Sequence, residues 1–163
     1  FSLGWGTRAL GYSREQFLIL QMVGVIFFGL TIPVAALLSD KYGMRPVMII
    51  VTVLIGIYGF LMAPLFLSGT AGVLAFLILG FGLMGLTYGP IGAALAEPFP
   101  TSVRYTGASL TFNLAGILGA SVAPYIATWL ATHYSFAYVG YYMTAAAVIS
   151  LIGFAFISFK RGE

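Results

Sequence analysis

Residues 46–96 read PVMIIVTVLIGIYGFLMAPLFLSGTAGVLAFLILGFGLMGLTYGPIGAALA, a run of 51 residues without Asp, Glu, Lys or Arg. A helix needs about 20 apolar residues to cross the hydrocarbon core of a bilayer, so this run is long enough for two spans. Two more uncharged runs, residues 16–39 and 105–159, hold 24 and 55 residues. They predict one and two spans. Because helices satisfy every backbone polar group within lipid, we interpret all five segments as helices.

The composition agrees with an integral membrane protein. Of the 163 residues, 61% are hydrophobic and 7% are charged, against about 25% charged in soluble domains. Seven basic residues are too few for a clustered nucleic-acid surface. No cysteine and a single histidine leave no thiolate or histidine metal site, so we expect no metal and no cofactor. No nucleophile and base are grouped as an enzyme would require, so we expect no catalytic residue.

The breaks between the runs place the helices at about 15–38, 47–67, 73–96, 106–131 and 136–158. Ser13 and Gln16 form an S-x-x-Q capping box before the first of them. Residues 1–7 are expected to be the end of a helix truncated upstream. The helices at 47–67 and 136–158 are apolar on nearly all sides, which predicts peripheral, lipid-facing positions.

The distribution of Lys and Arg predicts the orientation. The loops at 39–46 and 97–105 and the C-terminus carry five basic residues, and the opposite side carries two. By the positive-inside rule the C-terminus is cytoplasmic.

Small residues recur at helical spacing in the third and fourth of these helices. They lie 3 or 4 residues apart, which places them on one helix face where backbones can approach closely in lipid. The candidate packing residues are Gly82, Gly85, Gly89, Gly92, Gly116 and Ala120.

The loop at 36–46, ALLSDKYGMRP, resembles the cytoplasmic loop signature of the major facilitator superfamily. The matching positions are Asp40, Lys41, Gly43 and Arg45, whereas Ala36 and Met44 depart from the pattern. Residues 97–109 and 119–128 are similar to stretches of the metabolite:proton symporter branch of that family. The resemblance covers nearly the whole chain. It implies an all-α fold: the C-terminal six-helix bundle of a twelve-helix carrier, with its N-terminal half absent.

The resemblance also implies roles for the charged residues on the cytoplasmic side. Asp40, Lys41, Gly43 and Arg45 would form a conformational lock, in which the carboxylate meets the N-terminus of a neighbouring helix. Without the resemblance, the same residues fit an ordinary solvated turn. Glu97 and Arg104 fit either a surface ion pair or cytoplasmic gate partners for this loop or for the absent half.

Gln21, Tyr88 and Asn113 are the candidate residues of a substrate cavity, because the corresponding helices line the cavity of the family fold. The alternative is hydrogen bonding between helices, which averages about 0.6 kcal/mol in membranes. No acidic or basic side chain lies near the middle of a span, so proton coupling would reside in the missing part.

These observations predict a symporter that carries a small polar metabolite, an organic acid or osmolyte, by alternating access. The expected partners are the lipid bilayer, protons, the substrate and the missing N-terminal half. The expected location is the plasma membrane, a bacterial inner membrane. The alternative is a non-transporting membrane subunit that assembles through its Gly/Ala faces.

Overall fold

The computed structural model describes residues 1–157 as an all-helical bundle, with no strand in that range. Its elements are α1 (Ser2–Arg8), α2 (Arg14–Tyr42), α3 (Met44–Phe66), α4 (Gly69–Ala96), α5 (Arg104–Gly116), a π-helical turn (Ile117–Val122), α6 (Ala123–His133) and α7 (Phe136–Phe156). Helix α5, the π turn and α6 form one continuous segment, so five segments are long and apolar enough to span a membrane. Ser158, the predicted end of the last helix, lies outside the described residues. So do Lys160 and Arg161, the basic residues of the C-terminus.

The start of α2 confirms the predicted capping box. The Ser13 hydroxyl accepts from the Gln16 N–H at 3.1 Å, and the Gln16 amide oxygen accepts from the Ser13 N–H at 3.2 Å. The end of α2 differs from the expected loop, because α2 runs to Tyr42 and α3 begins at Met44. Only Gly43 separates them. Its φ of 91° lies in the region that glycine adopts most readily.

Helices α2 and α4 pack backbone to backbone. A methyl group on Gly85 would overlap the Thr31 hydroxyl and the Phe28 carbonyl oxygen. One on Gly89 would lie 2.7 Å from the Ile32 carbonyl oxygen. Glycine at these positions therefore sets the distance between the two helices.

Helix α3 has one exposed face, which carries Ile50, Ile57 and Phe60 and agrees with a peripheral position, and one packed face, which its uniform apolarity did not predict. Eight of its residues are buried, including Thr52 and Tyr58. It packs against α7 at Gly59 and Gly140, and the Thr144 hydroxyl donates to the Gly56 carbonyl oxygen at 2.9 Å. Hydropathy predicts that a segment spans the membrane, but it does not distinguish protein neighbours from lipid neighbours.

An aromatic cluster joins α3, α4 and α7 near one end of the bundle. The Phe66 ring stacks on Phe136 with centroids 4.7 Å apart, and its centroid lies 4.6 Å from that of Phe76. Phe17 of α2 packs edge-on against Phe66. The start of α1 joins this cluster, because Trp5 and Phe1 both contact Phe136.

The π turn between α5 and α6 ends at Val122, two residues before Pro124. Proline lacks an N–H, and its ring clashes with the carbonyl four residues earlier, here that of Ala120. A wider turn relieves this clash. It separates α5, which buries none of its residues among those described, from α6, which buries Ala127 and Ala131.

Removing the Tyr58 hydroxyl is expected to destabilise the bundle. This hydroxyl is buried and donates to the Phe76 carbonyl oxygen at 2.7 Å, joining α3 to α4. We expect Tyr58→Phe to lower the free energy of unfolding by about 1 kcal/mol, the usual net contribution of one hydrogen bond. The measurement is the thermal unfolding midpoint of the whole protein in detergent. The control is Tyr125→Phe, whose side chain is 73% exposed. Equal midpoints for the two variants would contradict the prediction.

Candidate functional site

The two loops with the predicted functional charges lie on the same side of the membrane. One connects the end of α2 to the start of α3, and the other connects the end of α4 to the start of α5. Because successive spans alternate in direction, the C-terminal ends of α2 and α4 face one side.

Asp40 and Arg45 occupy helix ends that disfavour their charges. Asp40 lies in the last turn of α2, and Arg45 lies in the first turn of α3. The helix dipole favours a cation at a C-terminus and an anion at an N-terminus, each by about 0.3–1 kcal/mol at an exposed site. Neither side chain forms an ion pair with another residue among 1–157. Helix stability therefore does not explain either charge.

Glu97 and Arg104 repeat this reversed arrangement. Glu97 caps the C-terminal end of α4, and Arg104 is the first residue of α5. The Arg104 Nε donates to the Phe99 carbonyl oxygen at 3.2 Å. Within the described part of the chain Glu97 has no cationic partner, so the structure does not pair it with Arg104.

On the opposite side of the membrane, most charges agree with the helix dipole. Arg8 lies in the last turn of α1, and Glu15 lies in the first turn of α2. Arg14, the first residue of α2, is the exception. The reversed pattern is thus concentrated on the side of the 39–46 and 97–105 loops.

The two other members of the predicted lock have local roles at the α2–α3 junction. Gly43 forms the single-residue turn, and its N–H donates to the Ser39 carbonyl oxygen at 2.9 Å. The Lys41 ammonium lies 5.1 Å from the centroid of the Tyr42 ring. In the last turn of α2, Lys41 carries the charge that the helix dipole favours.

A groove of about 450 Å³ runs between α3, α4 and α7 and opens beside the start of α1. Its walls are almost entirely apolar. Along α4 the lining extends from Phe76 to Tyr88, and Phe1 and Ser2 line it beside α1. Twelve helical residues correspond to about 18 Å.

The three candidate cavity residues are placed separately. Tyr88 lines the groove and packs edge-on against Phe28, with its side chain 43% exposed. The Gln21 amide oxygen is buried and has no hydrogen-bond partner among the described residues. Asn113 is exposed, and its amide donates to the Ser109 carbonyl oxygen at 2.8 Å. No contact joins these three side chains within residues 1–157.

The candidate packing residues divide into two groups. Gly85 and Gly89 meet α2 closely, and a methyl group on Gly82 would lie 3.9 Å from Thr31. A methyl group on Gly92 or Gly116 would meet no atom within 4 Å among the described residues. Ala120, in the π turn, is exposed.

No signal in the sequence distinguishes Gly59 and Gly140. The chain contains 21 glycines, and only the approach of α3 to α7 distinguishes these two from the rest. The reversed charges of Asp40 and Arg45 also depend on the limits of α2 and α3, which the sequence places four and three residues away from the observed ones.

A family model described as Major Facilitator Superfamily matches residues 2–163. The inner membrane metabolite transport protein YhjE of Escherichia coli (strain K12) is 52% identical over 154 residues, covering 93% of this chain and 35% of that protein.

Two more distant relatives come from the same organism. The shikimate transporter is 30% identical over 92% of this chain and 35% of its own length. The proline/betaine transporter is 28% identical over 88% of this chain and 29% of its own. All three are named as transport proteins rather than enzymes, in agreement with the prediction from sequence. The chain spans about a third of the length of these relatives. No solved structure matches it significantly.

Proposed function

The chain belongs to the Major Facilitator Superfamily, and on this basis we propose that the whole protein is a symporter for a small polar metabolite. It couples uptake to protons and works by alternating access. The described residues form part of its C-terminal half, which rocks against an N-terminal half. The substrate binds near the midplane between the halves, as in related transporter folds.

The reversed charges of Asp40, Arg45, Glu97 and Arg104 are the observation that carries this proposal. All four side chains lie at helix ends that disfavour them. These charges form no ion pair in the described part of the chain. We expect each of them to bind a partner group that is within reach in only one state of the transporter. The partner is the N-terminal half, and the contacts lock the cytoplasmic side when the protein opens outward.

The substrate is an organic acid or an osmolyte. The names of the shikimate and proline/betaine transporters support both classes. Gln21, Tyr88 and Asn113 contribute to the cavity wall, and the buried Gln21 amide oxygen has no hydrogen-bond partner among the described residues. No Asp, Glu, Lys or Arg lies in the middle of the described spans. The proton-carrying group and the counter-charge of the substrate therefore belong to the rest of the protein.

We infer in addition that α1 is the end of a longer helix in the whole protein. Its seven residues correspond to about 10 Å, and the groove that begins at Phe1 continues for about 18 Å along α4. The sum approaches the hydrocarbon thickness of about 30 Å. The apolar walls of the groove fit an apolar helix that completes this span.

The protein resides in a bacterial inner membrane, where YhjE is placed by its name. The 39–46 and 97–105 loops face the cytoplasm, as the positive-inside rule predicts. The C-terminus lies on the same side.

Uptake by the whole protein in proteoliposomes tests the proposal. We expect an inward proton gradient to drive uptake of one compound from a panel of dicarboxylates, citrate, shikimate and betaine, and a protonophore to abolish it. Empty liposomes are the control. Equal uptake with and without the gradient would reject proton coupling. No uptake of any compound would overturn the symporter in favour of a non-transporting subunit.

A further inference from the structure

An aromatic surface runs across the ends of α6 and α7 and onto α3. In order of contact it consists of His133, Trp129, Tyr134, Tyr138, Tyr141 and Phe60, and we name it the aromatic ladder. Each ring contacts the next, with centroids between 4.8 and 5.8 Å apart. All six side chains are exposed.

The ladder faces away from the bundle. On α3, Phe60 lies two residues after Tyr58, which is buried and lines the groove. On α7, Tyr141 lies two residues before Met143, which lines the same groove. Two residues correspond to about 200° around a helix, so the ladder and the groove occupy opposite faces of α3 and α7. In a membrane-spanning bundle the face that points outward meets lipid.

The depth of the ladder matches the interfacial layer of one leaflet. Tyr141 lies five residues after the start of α7, and Phe60 lies six residues before the end of α3. These separations correspond to about 8–9 Å along each helix. The headgroup layer on each side of the hydrocarbon core is about 5–8 Å thick.

The polar groups of the ladder are available as donors. The hydroxyls of Tyr134, Tyr138 and Tyr141 and the indole N–H of Trp129 form no hydrogen bond with another described residue. The His133 Nδ1 lies 3.0 Å from the Trp129 carbonyl oxygen, which can only accept, so the neutral ring presents Nε2 as an acceptor and adds no donor to the ladder. Helices α3, α6 and α7 contain no Asp or Glu. The ladder therefore offers several donors and no carboxylate to repel an anion.

We propose that the aromatic ladder binds one glycerophospholipid of the adjacent leaflet. The phosphodiester accepts hydrogen bonds from the ladder near Trp129 and Tyr134, and the ester carbonyls accept from Tyr138 and Tyr141. The first methylenes of an acyl chain pack along Phe60.

Native mass spectrometry of the whole protein with added phosphatidylglycerol tests this site. The test variant combines Tyr134→Phe, Tyr138→Phe and Tyr141→Phe, which removes three donors and keeps every ring. We expect phosphatidylglycerol to bind about tenfold more weakly, in line with the net value of hydrogen bonds to charged groups. Diacylglycerol with the same acyl chains lacks the phosphate, so its binding should weaken less.

The matched control combines Tyr42→Phe, Tyr105→Phe and Tyr125→Phe, three tyrosines that are 60% exposed or more and lie outside the ladder. Unchanged phosphatidylglycerol binding in the test variant, or an equal loss in the control, would overturn the proposed site. An equal loss of both lipids in the test variant would reject the phosphate contact. If the triple variant does not elute as a single species, Tyr134→Phe alone gives the same comparison, with a smaller loss expected.

Discussion

Gly140→Leu is expected to prevent the whole protein from folding into a single species. A methyl group at this position would overlap the carbonyl oxygen of Gly59 on α3. The obstacle is backbone, which cannot move aside as a flexible side chain can, so α3 and α7 would have to separate. Separation would also break the hydrogen bond from Thr144 to the Gly56 carbonyl oxygen. Overpacking typically costs about 1–3 kcal/mol and sometimes more, and we expect the upper end here.

Size-exclusion chromatography of the detergent-solubilised protein measures this effect. We expect Gly140→Leu to give aggregate or no recoverable protein, and Gly140→Ala to elute normally with a lower unfolding midpoint. The control is Gly153→Leu on the same helix, because a methyl group there would meet nothing within 4 Å among the described residues. If Gly140→Leu and Gly153→Leu behaved alike, the close approach of α3 and α7 would be wrong.

Asp40→Asn is expected to reduce the transport rate about tenfold or more. A factor of this size corresponds to the usual coupling free energy between two conformational states. The same substitution should leave the free energy of unfolding unchanged or raise it slightly. The substitution removes a negative charge from the last turn of α2, where the helix dipole disfavours it by about 0.3–1 kcal/mol. A variant that is equally stable or slightly more stable, yet transports poorly, would indicate that the carboxylate serves the transport cycle.

Glu15→Gln is the matched control for that variant. Glu15 lies in the first turn of the same helix, where its charge is favourable. We expect this substitution to lower the unfolding midpoint slightly and to leave transport intact. The measurements are initial uptake rate in proteoliposomes and thermal unfolding of the same preparations. Full transport activity in Asp40→Asn would show that Asp40 does not form the proposed lock.

Much of the fold follows from the distribution of charge along the sequence. The long runs without Asp, Glu, Lys or Arg place all five spans, and Ser13 with Gln16 marks the start of α2. The position of α3 within the bundle does not follow from it. Burial of Tyr58 and Thr52 depends on which helices surround α3, and a segment that is apolar on all sides is compatible with lipid or with protein.

The candidate site shows a similar division. The sequence draws attention to Asp40 and Arg45, but the predicted helix limits at 38 and 47 leave both in a loop. The actual limits at Tyr42 and Met44 put each charge inside a helical turn. The conflict with the helix dipole appears only when those limits are known to within a few residues.

The π turn has a consequence for the angular phase of the segment that contains it. A π turn holds one residue more than an α turn, so the register of everything beyond it rotates by about 100°, the angle that one residue subtends. Small residues at regular 3–4 spacing from 106 to 127 therefore do not form one continuous face. Ala127 faces the bundle, whereas Gly116 does not. One extra residue in the π turn thus lets α5 and α6 present different faces to their surroundings, although they belong to the same span.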